Sequence, residues 1–186
     1  MFLTYLSQAG TLERTGGGAM SQETVKLWYA LWTRGRHEKK VTAELEERGI
    51  ECFLPLVRRV RQWSDRRKVV AFPLFPGYLF LRESIDAVPA AAAVQGVVAV
   101  LGAGETPVPV SEHEIEKIRR VVQSPLPVDL FPSLPVGQRV RIRFGVLAGV
   151  EGVLVQWRGN HRVVVAIDLL RQGAAVTIAP DNVEPL

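Results

Sequence analysis

The first block of apolar positions runs from Lys26 to Thr33, where Trp28, Tyr29 and Trp32 stand among leucines, and it predicts an opening strand. Over 36–49 the pattern changes. Val41, Leu45 and, more weakly, Ala43 recur at helical spacing, charged residues fill the rest and Gly49 closes the segment, so an amphipathic helix with a basic first half is expected. Ile50 to Val57 and Val69 to Leu74 then read as two strands bracketing a polar stretch, with Trp63-Ser64-Asp65 supplying the turn. The run Phe72-Pro73-Leu74-Phe75-Pro76-Gly77-Tyr78-Leu79-Phe80-Leu81 follows. Its prolines withhold two backbone donors, so the first half belongs at a sheet edge or a bend, and Tyr78 to Leu81 resume regular pairing. A short alanine-rich helix ending near Gln95-Gly96, a strand from Val97 to Leu101 and a helix from the N-cap Ser111 to about Val122 complete the unit. The order β-α-β-β-β-α-β-α predicts an α+β domain, an antiparallel sheet flanked by helices.

Prolines 125, 127, 132 and 135 exclude helix and central strand from 123–135, which reads as a semi-rigid linker. Beyond it, Arg139–Phe144, Val150–Trp157, Arg162–Asp168 and Ala174–Ile178 are short strand-like segments separated by glycine-containing turns, the spacing of a small closed all-β barrel. Residues 1–23 lack periodicity, contain Thr15-Gly16-Gly17-Gly18-Ala19 and precede Met20, and so read as a flexible extension or an upstream translation start. The expected organisation is an extension over 1–23, a first domain over 24–122, a linker over 123–135 and a second domain over 136–186.

Charge adds a second layer. The net charge of +4 over 186 residues is modest, but Arg58, Arg59, Arg61, Arg66, Arg67 and Lys68 face a single acid, Asp65, within eleven positions. This stretch is either a solvated face or a contact for phosphate or for an acidic protein surface. A second basic group, Arg34, Arg36, His37, Lys39 and Lys40, lies at the start of the first helix, whose positive end favours phosphate. Phe72, Phe75 and Tyr78 are held close by the proline bend. They suit either core packing or an anchor for a partner protein.

Catalysis and metal binding find little support. His37, His113 and His161 fall at two helix starts and a turn without ligand spacing, and no glycine loop carries a phosphate-cradling signature. Cys52 is the only cysteine, so no intrachain disulfide forms; beside Phe53 and Leu54 it reads as a small buried hydrophobe, and a reducing cytoplasm is expected. The uncharged stretch 87–104 has nearly the length of a membrane span, but four consecutive alanines, Pro89 and its glycines break it. The Phe2–Leu6 stretch is too short for a signal-peptide core. A binding protein without cofactor, metal or membrane, acting as a monomer, is the expectation.

Leu27-Trp28-Tyr29-Ala30-Leu31, the Phe75-Pro76-Gly77-Tyr78 turn and Pro107-Val108-Pro109-Val110-Ser111 together resemble the NusG family of transcription elongation factors. Val146-Leu147-Ala148-Gly149-Val150-Glu151-Gly152-Val153 resembles the KOW motif of an SH3-like barrel, with Gly149 and Gly152 as its glycines. Leu74-Phe75-Pro76, Tyr78-Leu79-Phe80, the basic helix start and the lack of a long insert before the hairpin look like the specialised paralogs of RfaH, or polysaccharide-operon regulator, type. The resemblance implies an antitermination factor that docks on the clamp helices of the largest RNA polymerase subunit. By position, Trp28, Tyr29, Trp32, Phe75, Tyr78 and Phe80 would form that pocket. Arg34, Arg36, His37, Lys39 and Lys40 would face upstream or non-template DNA. The KOW domain would recruit a ribosomal small-subunit protein or Rho. Val88-Pro89-Ala90-Ala91 replaces the threonine-rich stretch of RfaH, and Val163-Val164-Val165 with the barrel glycines favours a constitutive barrel over a helical alternative. A ribosome-associated or free RNA-binding KOW protein is the other reading of the same motifs.

Overall fold

The structure, a computed structural model, describes residues 24–62, 67–133, 135–157 and 160–186. The extension 1–23, the turn Trp63-Ser64-Asp65 and Arg66 lie outside the described residues, as does the side chain of Arg61.

The N-terminal half is built from β1 (Leu27–Thr33), α1 (Glu38–Glu47), β2 (Glu51–Phe53), β3 (Leu56–Gln62), β4 (Arg67–Pro73), β5 (Tyr78–Glu83), α2 (Val88–Ala92) and β6 (Val97–Val100). A small hairpin of β7 (Gly102–Ala103) and β8 (Thr106–Pro107), then β9 (Pro109–Val110) and α3 (Glu112–Gln123), complete it. Its main sheet runs β2-β5-β1-β6, with β9 also paired to β1, all antiparallel. Alternation on β1 divides the core. Tyr29 and Leu31 pack with Val41 and Leu45 of α1 and Val88 and Ala91 of α2, whereas Trp28 and Ala30 pack with Phe80 and with Ile115 and Ile118 of α3. At the start of α3, Ser111 and Glu114 close the expected capping box.

Ile50 to Val57, expected as one strand, is two. Pro55 cannot continue a ladder, so β2 ends at Phe53 and β3 leaves the main sheet to pair only with β4. The basic residues therefore lie within the ribbon strands and not only at its tip, because cross-strand pairing continues out to Gln62 and Arg67.

The C-terminal half forms a six-stranded antiparallel sheet, β10 (Val128–Phe131), β11 (Gln138–Ile142), β12 (Glu151–Trp157), β13 (Asn160–Ile167), β14 (Gln172–Thr177) and β15 (Val183–Pro185). Its order is β10-β14-β13-β12-β11-β15, and among the described residues no pairing joins β10 to β15. The path is open, where a closed barrel was expected. β10 lies inside the stretch read as linker. Pro125, Pro127 and Pro132 flank this strand without interrupting it, and an edge strand needs only one row of ladder donors. α3 packs against β1 on one side and against β13 and β14 on the other, so one apolar cluster runs from Trp28 through Ile118 to Val163 and Ala174. No described helix is long and apolar enough to cross a membrane.

Candidate docking and nucleic-acid interface

The Phe75–Tyr78 turn is held at three points. Gly77, at φ +84°, occupies the left-handed region that its lack of a Cβ permits. Its N–H donates to Glu38 Oε1 at 2.8 Å, and its carbonyl accepts from the Thr33 N–H at 2.8 Å and from Thr33 Oγ1 at 3.3 Å. Glu38 is buried at the first position of α1, so the turn, the end of β1 and the helix start form one rigid corner. Lys39 extends from that corner to donate to the Ala71 carbonyl on β4 at 2.8 Å. Between them lies a cleft of about 880 Å³, floored by Phe72, Pro73 and Leu74 and bordered by Trp32, Lys39 and Arg59.

The six rings expected in the docking pocket divide sharply. Trp32 is 48% exposed and Tyr78 is half-buried. Trp28, Tyr29, Phe75 and Phe80 have exposures of 1%, 2%, 0% and 0%, and they are core residues in this arrangement. The cause is visible in their neighbours. Trp28 Nε1 donates to Glu112 Oε2 at 3.0 Å and the Arg119 guanidinium sits 5.7 Å from the Trp28 ring, so α3 covers that end of the sheet. Phe80 stacks on Phe53 at 6.1 Å and meets the edge of Phe75 at 6.4 Å. Tyr29 points to the opposite face, toward α1 and α2. A single face of accessible rings is therefore corrected to one open end, at Trp32 and Tyr78, resting on a buried aromatic stack.

The basic helix start is better exposed. Arg34, Arg36, Lys39 and Lys40 face solvent and His37 is half-buried, its Nδ1 3.2 Å from the Gly35 carbonyl. Arg36 adopts φ +66°, an uncommon conformation for a residue with a Cβ. Arg36, Lys39 and Arg59 share the cleft, which joins the helix start to the basic ribbon. On the ribbon, Arg58, Arg67 and Lys68 are exposed, while Arg59 lies 3.6 Å from Asp129 on β10.

Both glycines of the C-terminal motif have stereochemical reasons. Gly149 sits at φ +82° and its N–H donates to the Ile142 carbonyl at 2.8 Å; a Cβ on Gly152 would lie 2.6 Å from the Val164 carbonyl oxygen. The contacts between the two halves gave no sequence signal. Arg120 donates to the Ala148 carbonyl at 2.7 Å, the Asp168 N–H donates to Glu114 Oε1 at 3.0 Å, and Arg59 lies 3.6 Å from Asp129. The amphipathic pattern of α3 announces an apolar face but not that two sheets share the helix. Burial, then the carboxylates of Glu46 and Glu51, push the Cys52 thiol up to about 12, which leaves it unreactive at neutral pH. Among the described residues no three His, Cys, Asp or Glu side chains are grouped to hold a metal.

The family model described as "Transcription termination factor nusG" matches residues 26–119, just over half of the chain and nearly all of the N-terminal unit. The chain belongs to the NusG family. Members of this family are transcription factors, not enzymes. The proteins named "Transcription termination/antitermination protein NusG" in Staphylococcus aureus strains Mu50 and N315 are each 27% identical over 184 residues, covering 90% of this chain and 100% of theirs. A solved structure described as "Domain interaction in Thermotoga maritima NusG" is 26% identical, covers 87% of this chain and 97% of that one, and has a TM-score of 0.49. Within this NusG-family chain, the Pro-Gly-Tyr turn and the basic helix start both fall inside the matched segment.

Proposed function

We propose that this NusG-family protein is a transcription elongation and antitermination factor of the specialised, RfaH-like type, acting in the cytoplasm. Its N-terminal unit docks on the clamp helices of the largest RNA polymerase subunit. The observation that carries this reading is the half-exposed Trp32 at the mouth of a preformed apolar cleft, held by the Glu38–Gly77–Thr33 corner. A rigid aromatic with two rotors loses little entropy on binding, and a fixed corner adds no ordering cost. Tyr78 flanks the contact, while Trp28, Tyr29, Phe75 and Phe80 support it from the core. Arg34, Arg36, His37, Lys39 and Lys40 meet the phosphates of upstream or non-template DNA, and the ribbon cations add a further nucleic-acid contact.

The C-terminal sheet, over 136–186 with β10 as its added edge, is a KOW domain of SH3-like type, and it recruits a ribosomal small-subunit protein or Rho. Tethering two weak sites through the segment 123–127 raises the effective concentration of the second. A pull-down with a clamp-helix fragment tests the docking step. Trp32→Glu should abolish capture while circular dichroism stays native; capture at the parental level by the folded variant would refute the assignment.

A further inference from the structure

We infer that the β3–β4 ribbon is a finger that enters the major groove of duplex DNA. This deepens, and rests on, the nucleic-acid reading of the ribbon given above. β3 and β4 form a separate two-stranded sheet, so among the described residues both outer edges lack a strand partner. All its described charged residues, Arg58, Arg59, Arg67 and Lys68, are cationic, and Arg58, Arg67 and Lys68 make no ion pair among the described residues. A polyanion is the complementary partner.

The register decides which groups a partner meets. Arg58, Val60 and Gln62 stand opposite Ala71, Val69 and Arg67 and share one face, because directly opposed residues project to the same side. Val60 and Val69 are 65% and 60% exposed at its centre, with the cations Arg58 and Arg67 at its two ends. The ribbon's one described aromatic, Phe72, belongs to the other face and packs on the core, so this face offers no ring to anchor a protein. It offers small apolar groups for base methyls, an amide for a base edge and cations for the flanking phosphates.

Dimensions select the form of nucleic acid. Seven-residue strands at about 3.3 Å per residue give a ribbon of roughly 20 Å. A two-stranded ribbon fits the major groove of B-form DNA, about 12 Å wide, whereas the deep, narrow major groove of A-form RNA does not admit it. The base of the finger is braced by the Lys39–Ala71 hydrogen bond, the Arg59–Asp129 pair and the buried Val57, so insertion requires little reordering.

The test uses the full chain with fluorescently labelled duplex DNA and duplex RNA of equal length, followed by anisotropy through a salt titration. Duplex DNA should bind at least about tenfold more tightly than duplex RNA, and Arg58→Glu/Arg67→Glu should remove most of that preference and lower the salt slope by about two. The milder Arg58→Gln/Arg67→Gln serves as a check that the effect is not misfolding, and should weaken DNA binding in the same direction. Equal affinity for the two duplexes, or an unchanged slope in both folded variants, would overturn the inference. Clamp-helix capture by the same variants separates the two proposals, since it should persist when DNA binding is lost; Trp32→Glu should show the reverse.

Discussion

Trp28 and Trp32 stand four residues apart on β1, on the same face of the same sheet, yet one is 1% exposed and the other 48%. Residue type, strand and side are held constant, so the difference comes from what lies above them. α3 covers Trp28 with Glu112 and Arg119, and the C-terminal sheet backs α3 from behind. The opposite end of β1 projects past this cover, beside the Pro-Gly-Tyr turn. Identical residues on one strand are thus locked in the core at one end and open to solvent at the other.

Truncating each ring is the most direct way to break the comparison. Trp28→Ala should cost about 3–5 kcal/mol in urea unfolding, since it empties a large buried volume. Trp32→Ala should leave the unfolding midpoint nearly unchanged but weaken clamp-helix binding by about 2 kcal/mol, roughly thirtyfold by titration calorimetry. If both variants unfolded alike, the two ends of β1 would not differ in kind.

A weaker perturbation acts on the cover itself. Ser111→Ala removes the N-cap of α3, which should cost about 1 kcal/mol and raise hydrogen exchange in its first turn. The smallest effect is expected at the exposed start of β1, where Lys26 Nζ lies 2.9 Å from Glu83. Partial burial pushes the Glu83 carboxyl up, but the Ser84 N–H and Lys26 together outweigh it and hold the group below the usual carboxylate range. A depressed folded value means the stabilisation is present above the ordinary carboxylate pKa and lost as pH falls through the folded value. Lys26→Ala should therefore move the onset of acid unfolding slightly toward higher pH, an effect within the small range of surface pairs.

Much of the fold could be read from periodicity. The spacing of Val41 and Leu45 gave α1, the Ser111 and Glu114 pair gave the start of α3, and the apolar block around Trp28, Tyr29 and Trp32 gave β1. Three features could not be read this way. Ile50 to Val57 read as one strand, but Pro55 separates β2 from a ribbon that pairs only with itself, a distinction set by which partner strand lies alongside. Val128 to Phe131 looked like linker because prolines surround it, and only the presence of β14 supplies its ladder. The aromatic patch was legible as a cluster of rings, but burial depends on neighbours distant in sequence, such as Arg119 over both Trp28 and Phe53.

The sequence by itself determined the element types, the caps, the tight turn at Gly77 and the placement of cations at one helix start and one hairpin, because each follows from backbone stereochemistry and spacing over a few residues. Tertiary structure alone decided which aromatic remained accessible, that the two basic groups border one cleft, and that α3 is shared between two sheets. Those outcomes depend on long-range packing, where the area a residue loses to solvent is set by chain segments that no local pattern specifies.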